Sequence, residues 1–470
     1  MHMIKETVQT TATPTIFTIF GITGDLTQRK LLPALLSLYV KKLLPSRFAI
    51  VGFGRRQFAK ADFRQFIRDE INIKPGQYKE EDVKHFLDHI SYEQGLFDNL
   101  NAYKELAERL KEHDVRFGKC SNKLFHLSVP PSLYKGILTN LSESGLTIPC
   151  GGNEGWTRVL VEKPFGNDID TAVELDTLLG SLFQEEQIFR IDHYLAKETM
   201  QNILAFRFAN SLFEPLWSFT HIDRVEIKLL EKIGLEGRGA FYDSVGALRD
   251  VGQNHILQML AIIAMDQPFY LDAESIRKER AKVLTNLAPI NYRNIAHYAV
   301  RGQYEGYRAE DGVSPGSQTE TYFKIETYID TPRWKDVPFI IESGKALAKS
   351  EALINVYFRN PDEDENQNVL TFRIQPQEGI ELRFWVKTPG FGMLIEPKTL
   401  RFNYEEFQAV AVIPDAYEKV IFDAVIGDQT LFTSTEEVLA AWQFITPIID
   451  AWDKVPLLSY KKGSAEVAKE

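Results

Sequence analysis

Apolar positions follow two patterns along the chain. In the first part they form short unbroken runs: TIFTIF (15–20), RFAIVGFG (47–54), KLFHLSVPP (123–131) and RVLVEKPFG (158–166). A helical stretch, RKLLPALLSLYVKK (29–42), and charged amphipathic segments to about residue 112 separate the first three. Short apolar strands alternating with helices predict a doubly wound parallel sheet covered on both faces. From about residue 220 the pattern changes to period two. HIDRVEIKLLE (221–231), TETYFKIETYI (319–329), EALINVYFRN (351–360), NVLTFRIQP (368–376) and GIELRFWVK (379–387) alternate apolar with polar residues. Alternation of that kind predicts a large, mainly antiparallel sheet with one face covered. Helical runs at 241–265, 414–427 and 435–452 interrupt and close it.

The expected organisation is a flexible N-terminal arm (1–14), a parallel α/β domain (15–189) and an α+β domain (190–470). A chain of 470 residues exceeds what a single core supports, which agrees with two domains. The net charge of −11 argues against nucleic acid or an anionic membrane as a partner, because both demand an excess of Lys and Arg. No window approaches the roughly 18 apolar residues of a membrane span, and the first residues lack the apolar core of a secretory signal. Cys120 and Cys150 have no zinc-like spacing, so no metal is expected, and both read as reduced thiols of a cytoplasmic protein.

GITGDL (21–26) lies between a strand and a helix, the context in which Gly21 and Gly24 let the backbone approach a pyrophosphate, as in a Rossmann domain. Thr27 stands where a third glycine is usual, and an ordinary tight turn explains the motif as well. After the second strand, where an NAD enzyme carries an acid for the ribose hydroxyl, the chain has Arg55 and Arg56. A guanidinium there pairs with a 2′-phosphate and favours NADP, with NAD the weaker alternative. Solvated surface charge is the competing explanation.

Chemistry concentrates in RIDHYLAKE (190–198). If a helix opens near His193, then His193, Tyr194 and Lys197 share its first turn and could hold a phosphate. Otherwise Lys197 is surface charge, Tyr194 a core aromatic and Asp192 an N-cap, and for each residue alone that reading is the better one. His255 follows Leu248 by seven and Val251 by four, on an apolar helix face. It is either a satisfied core residue or a general base that Asp192 could orient. Lys163 ends a strand before Pro164, where a cis bond would fix it beside a ligand and an ordinary turn would serve no ligand.

These stretches together closely resemble the glucose-6-phosphate dehydrogenase family. GITGDLTQRKLLPAL, RVLVEKPFG, RIDHYLAKE, GRGAFYDSVGALRDVGQNHILQ and GDQTLF match family blocks in order from about Thr15 to the C-terminal helix. The resemblance implies oxidation of D-glucose 6-phosphate at C1 to 6-phospho-D-glucono-1,5-lactone with hydride transfer to NADP, the first step of the oxidative pentose phosphate pathway. It implies His255 as base, Asp192 as its partner, and Lys163 touching substrate and cofactor. His193, Tyr194 and Lys197 would hold the phosphate, Glu231 and Asp250 the sugar hydroxyls, and Lys345 would close the pocket. Gly21, Thr23, Gly24, Asp25, Leu26, Arg55 and Lys163 would bind the cofactor. A homodimer through the antiparallel sheet, or a dimer of dimers, is also implied. Ala196 replaces a family glycine, Glu342 a family arginine, and GSAEVAKE (463–470) departs from a family GSxGP motif. Those departures leave open another phosphorylated aldose as substrate, a second structural NADP site, and a non-catalytic relative that binds NADP or sugar phosphate.

Overall fold

The computed structural model describes residues 13–150, 155–360, 366–407 and 413–467. The arm expected at 1–14 lies outside them except for its last two residues. The described chain forms two compact units, Met1–Gly166 with Asp170–Ala196 and Pro414–Thr435, and Asn167–Ile169 with Lys197–Ile413 and Glu436–Glu470. The first unit thus takes in Pro414–Thr435, a segment the period-two pattern had suggested for the second.

In the first unit six parallel strands, β1 (Thr15–Phe20), β2 (Phe48–Gly54), β3 (Ile90–Gln94), β4 (Asn122–Leu127), β5 (Thr157–Val161) and β6 (Ile188–Ile191), pair in the order 3-2-1-4-5-6. That order reverses between β1 and β4, the switch point at which doubly wound sheets bind ligands. β1, β2 and β4 are buried along their whole length, because helices cover both faces. The strands are in register where it matters. Phe20 is level with Phe53 and Leu127, Leu127 with Val161, and Val161 with Arg190.

The second unit is built on β7 (Ile222–Leu230), β8 (Ala299–Tyr304), β9 (Tyr322–Thr327), β10 (Phe339–Gly344), β11 (Glu351–Phe358), β12 (Val369–Gln375), β13 (Gly379–Lys387) and β14 (Ile395–Asn403). The chain then adds β15 (Phe432–Thr433), antiparallel to β6 in the first sheet, and β16 (Leu457–Tyr460), parallel to β8 in the second. The second sheet runs β14-β13-β12-β11-β7-β10-β9-β8-β16 and is antiparallel except at β7–β10 and β8–β16. All five period-two runs are strands of it. β8, β10, β14 and β16 lacked a clean alternation and were not foreseen.

Cys120 and Cys150 form a disulfide, with Cα atoms 5.9 Å apart. This corrects the expectation of two reduced thiols. The bridge joins the approach to β4 with the approach to β5, and these strands are neighbours in the sheet although the cysteines are 30 residues apart.

In the first unit Asp423 is fully buried, and burial pushes its carboxyl group up to about 7, against the opposing pull of Lys419. A raised carboxyl pKa means that between about pH 4 and pH 7 the folded protein keeps a proton the unfolded chain has lost. Stability therefore falls as pH rises through that window, and the loss is complete above it. Asp423→Asn is expected to raise the thermal midpoint by several degrees at pH 8, with the gain disappearing near pH 4. Melting curves at both pH values test this.

Candidate active site

In the first unit the candidate residues follow the aligned C-terminal ends of the parallel strands. Gly21 follows β1, Arg55 β2, Lys163 β5 and Asp192 β6. Gly21 has φ +82°, and a Cβ there would lie 2.3 Å from Ser128 O, so only glycine fits. Gly24 N donates to Gly21 O (2.9 Å), closing a tight turn. Thr27 replaces the third glycine and locks that turn: its hydroxyl donates to Gly21 O (3.2 Å) and pairs with Ser128 Oγ (2.9 Å). A π-helix, Thr27–Leu31, leads into the helix Leu32–Val40. Asp25 pairs with Arg29 on the exposed surface.

The two arginines after β2 separate in role. Arg56 lies over the rings of Phe58 (4.8 Å) and Phe66 (4.7 Å). Arg55 is exposed and has no ion-pair partner among the described residues. The residues that follow this strand, 55–59, include no Asp or Glu.

The Lys163–Pro164 bond is cis. Lys163 is half-buried, and the preceding Glu162 is buried with both carboxyl oxygens engaged. His126 Nε2 donates to Oε1 (2.9 Å) and the Tyr417 hydroxyl to Oε2 (3.3 Å). The helix expected to open near His193 does not. Asp192 Oδ1 accepts from Tyr194 N (2.9 Å), Leu195 N bonds Asp192 O (3.1 Å), and residues 193–196 form turns. The helix starts at Glu198 with Lys197 as N-cap. An Asp side chain that bonds its own backbone two residues on competes with helix initiation. His193 packs against Tyr417, ring centroids 6.2 Å apart and planes 18° apart. Burial, followed by Glu162, Asp415 and Asp192, pushes the Tyr417 hydroxyl far up, so it stays a donor.

The second unit holds Lys197, Glu231, Asp250, His255 and Lys345. Lys197 Nζ donates to Gln375 Oε1 (2.9 Å). Lys345 pairs with Glu231 and lies 5.3 Å from the centre of the Tyr242 ring. Burial, then Asp250 and Glu320, push the Tyr242 hydroxyl well up, and it has no hydrogen-bond partner among the described residues. Tyr242, which the sequence reading missed, therefore joins Glu231, Asp250 and Lys345 among the polar groups of this region. His255 is 3% exposed, as its apolar neighbours predicted. Its segment, Leu248–Ile256, is a π-helix and not an α-helix, so face counting at 3.6 residues per turn does not hold along it. Gly246 (φ +75°) breaks the preceding helix, and Glu320 Oε1 accepts from Leu248 N (2.9 Å) at the start of the π-helix. Glu342 is absorbed within the sheet: the Tyr322 hydroxyl donates to it (2.9 Å) and Lys228 lies 3.5 Å away.

Comparisons with known proteins bear on both units. The family model described as glucose-6-phosphate dehydrogenase, NAD binding domain, matches residues 18–202, and the model of the C-terminal domain of the same family matches 204–470. The chain belongs to the glucose-6-phosphate dehydrogenase family. It is 40% identical to the glucose-6-phosphate 1-dehydrogenase of Chlamydia muridarum over 97% of this chain and 94% of that one. With the enzyme of the same name from Aggregatibacter actinomycetemcomitans the identity is 42%, over 92% of this chain and 90% of the relative. A solved structure described as glucose-6-phosphate dehydrogenase in complex with its substrate glucose-6-phosphate superposes with a TM-score of 0.90. It shares 34% identity and covers 97% of this chain and 96% of that chain. Membership in the glucose-6-phosphate dehydrogenase family explains why one chain carries both the NAD-binding first unit and the antiparallel second unit. No helix among the described residues is long and apolar enough to cross a membrane.

Proposed function

We propose that the protein is an NADP-dependent glucose-6-phosphate dehydrogenase, an oxidoreductase that converts D-glucose 6-phosphate to 6-phospho-D-glucono-1,5-lactone in the cytoplasm. The observation that carries the reaction is the near full-length match, at 40% identity, to enzymes of that name, with the chemically competent residues of RIDHYLAKE and RDVGQNH present here. When bound, the dinucleotide accepts hydride. The chain's own residues do the rest. As hydride leaves C1, positive character develops there, and removal of the hydroxyl proton must accompany it. His255 is the proposed base, with Asp192 as the carboxylate that favours its protonated form. His193, Tyr194 and Lys197 are proposed to hold the 6-phosphate. Glu231, Asp250 and Lys345 are proposed to meet the sugar, and Lys163 to touch substrate and cofactor.

The choice of NADP rests on Arg55. Its guanidinium follows β2 without an ion-pair partner among the described residues, while Arg56 is occupied by aromatic rings. Gly21, Thr23, Gly24, Asp25 and Leu26 are proposed to cradle the pyrophosphate on the helix side of the turn. Supplying glucose 6-phosphate with NADP should give rising nicotinamide absorbance, faster than with NAD. A charge-assisted bond to phosphate contributes about 1.5–3 kcal/mol, so Arg55→Ala should lower kcat/KM for NADP by roughly 10- to 100-fold and leave NAD nearly unaffected. Equal losses with both nucleotides would remove Arg55 from the 2′-phosphate site.

The pairing of Glu342 with Tyr322 and Lys228 takes away one motive for a different aldose, since its charge is met inside the sheet. A homodimer through the second sheet is proposed on the surface of β14 and the turn before it, where Phe391, Met393, Leu394, Ile395 and Leu400 are exposed.

A further inference from the structure

We propose that Glu162 is a positioning residue for Lys163, held by His126 and Tyr417. The proposal rests on the reading of Lys163 as a residue in contact with substrate and cofactor. Three hydrogen bonds converge on the residue immediately before that lysine. His126 at the end of β4 holds one carboxyl oxygen (2.9 Å) and Tyr417 of the helix Ala416–Ile426 the other (3.3 Å). Tyr134 of the helix Tyr134–Glu143 donates to the Glu162 carbonyl (2.9 Å). All four groups are buried. A buried carboxyl group is costly unless its oxygens are satisfied, and here both are, from elements about 36 and 255 residues away in sequence. The chain just before Lys163 is therefore pinned from three directions where β5 ends.

The same tyrosine braces a second candidate residue. The Tyr417 ring faces His193 while its hydroxyl grips Glu162. One side chain thus ties the strand end that carries Lys163 to the turn that carries His193, and both belong to the first unit. Supporting groups of this kind fix the orientation of the residues that meet the ligand, and a displacement of about 1 Å can cost on the order of 100-fold in rate.

The test is a double-mutant cycle on the full-length enzyme with glucose 6-phosphate and NADP. Glu162→Gln keeps the shape of the side chain and is expected to lower kcat/KM roughly 10- to 100-fold. Lys163→Ala is expected to lower it at least as far. If Glu162 acts through Lys163, the double variant should match Lys163→Ala to within about twofold, since the losses do not add. Losses that multiply would overturn the proposal and give Glu162 a merely structural role. Wild-type turnover by Lys163→Ala would instead overturn the reading of Lys163 on which the proposal stands. Should Glu162→Gln not fold, Tyr417→Phe removes one hydroxyl and keeps the ring. It should show a smaller loss that likewise vanishes in the Lys163→Ala background, and a loss that persists there counts against the proposal.

Discussion

Replacing His255 by asparagine is expected to lower kcat by about two to four decades while leaving the dissociation constant for glucose 6-phosphate within a few-fold of wild type. The reason is the division of labour proposed for the site. His255 removes a proton only as hydride departs, so its contribution appears in the transition state and not in ground-state binding. Asparagine keeps a polar side chain of similar size in a site that is 3% exposed, which limits damage to packing. Steady-state kinetics combined with isothermal titration of the sugar phosphate would measure both quantities. An unchanged kcat would remove His255 from the role of base, and a large loss of binding with intact kcat would make it a substrate ligand. Asp192→Asn should move in the same direction by a smaller factor.

The largest effect expected on stability comes from a pair far from the proposed chemistry. In the second unit Arg280 and Glu437 are fully buried and meet in a two-pronged ion pair, Nε to Oε1 at 2.8 Å and Nη2 to Oε2 at 3.2 Å. The desolvation of two such groups consumes most of what their attraction returns, so the intact pair contributes little net stability. Removing one partner is different, because the other stays fully buried and loses the opposite charge it faces. Glu437→Leu is expected to cost about 3–5 kcal/mol, a fall in the unfolding midpoint on the order of 10 °C. Exchanging both residues for apolar ones, Arg280→Met with Glu437→Leu, should recover most of that loss. Thermal melts of the three proteins test the account, and a double variant as unstable as Glu437→Leu alone would show that the pair is net stabilising.

Much of the architecture was legible because its signals are local. The unbroken apolar runs at 15–20, 47–54 and 123–127 became central parallel strands, since a strand covered on both faces needs no polar positions. The five alternating runs became strands of the second sheet for the complementary reason. β10 escaped notice because it is buried at nearly every position and so does not alternate, and β14 because its side chains are mostly exposed. At the candidate site the glycine turn was readable from Gly21, whose backbone conformation only glycine adopts easily. The helix expected over His193, Tyr194 and Lys197 was not there, because the Asp192 side chain captures the Tyr194 amide and delays the helix to Glu198.

What the sequence determined by itself is the set of chemical groups and several of the elements that carry them: the turn after β1, Arg55 after β2, Lys163 after β5 and a buried His255, whereas the strand that precedes Asp192 came only from the structure. These follow from hydrophobic periodicity and from the conformational limits of glycine and proline, which act over a few residues. Only the tertiary structure decided that Pro414–Thr435 joins the first unit and that Tyr417 braces Glu162 and His193. It also decided that Glu320 meets the first amide of the π-helix bearing His255, that Glu342 is paired, and that Cys120 meets Cys150. Each of those contacts closes a loop of about 20 to 255 residues. A pairing across such a distance depends on which strands become neighbours, and no pattern along the chain encodes that locally.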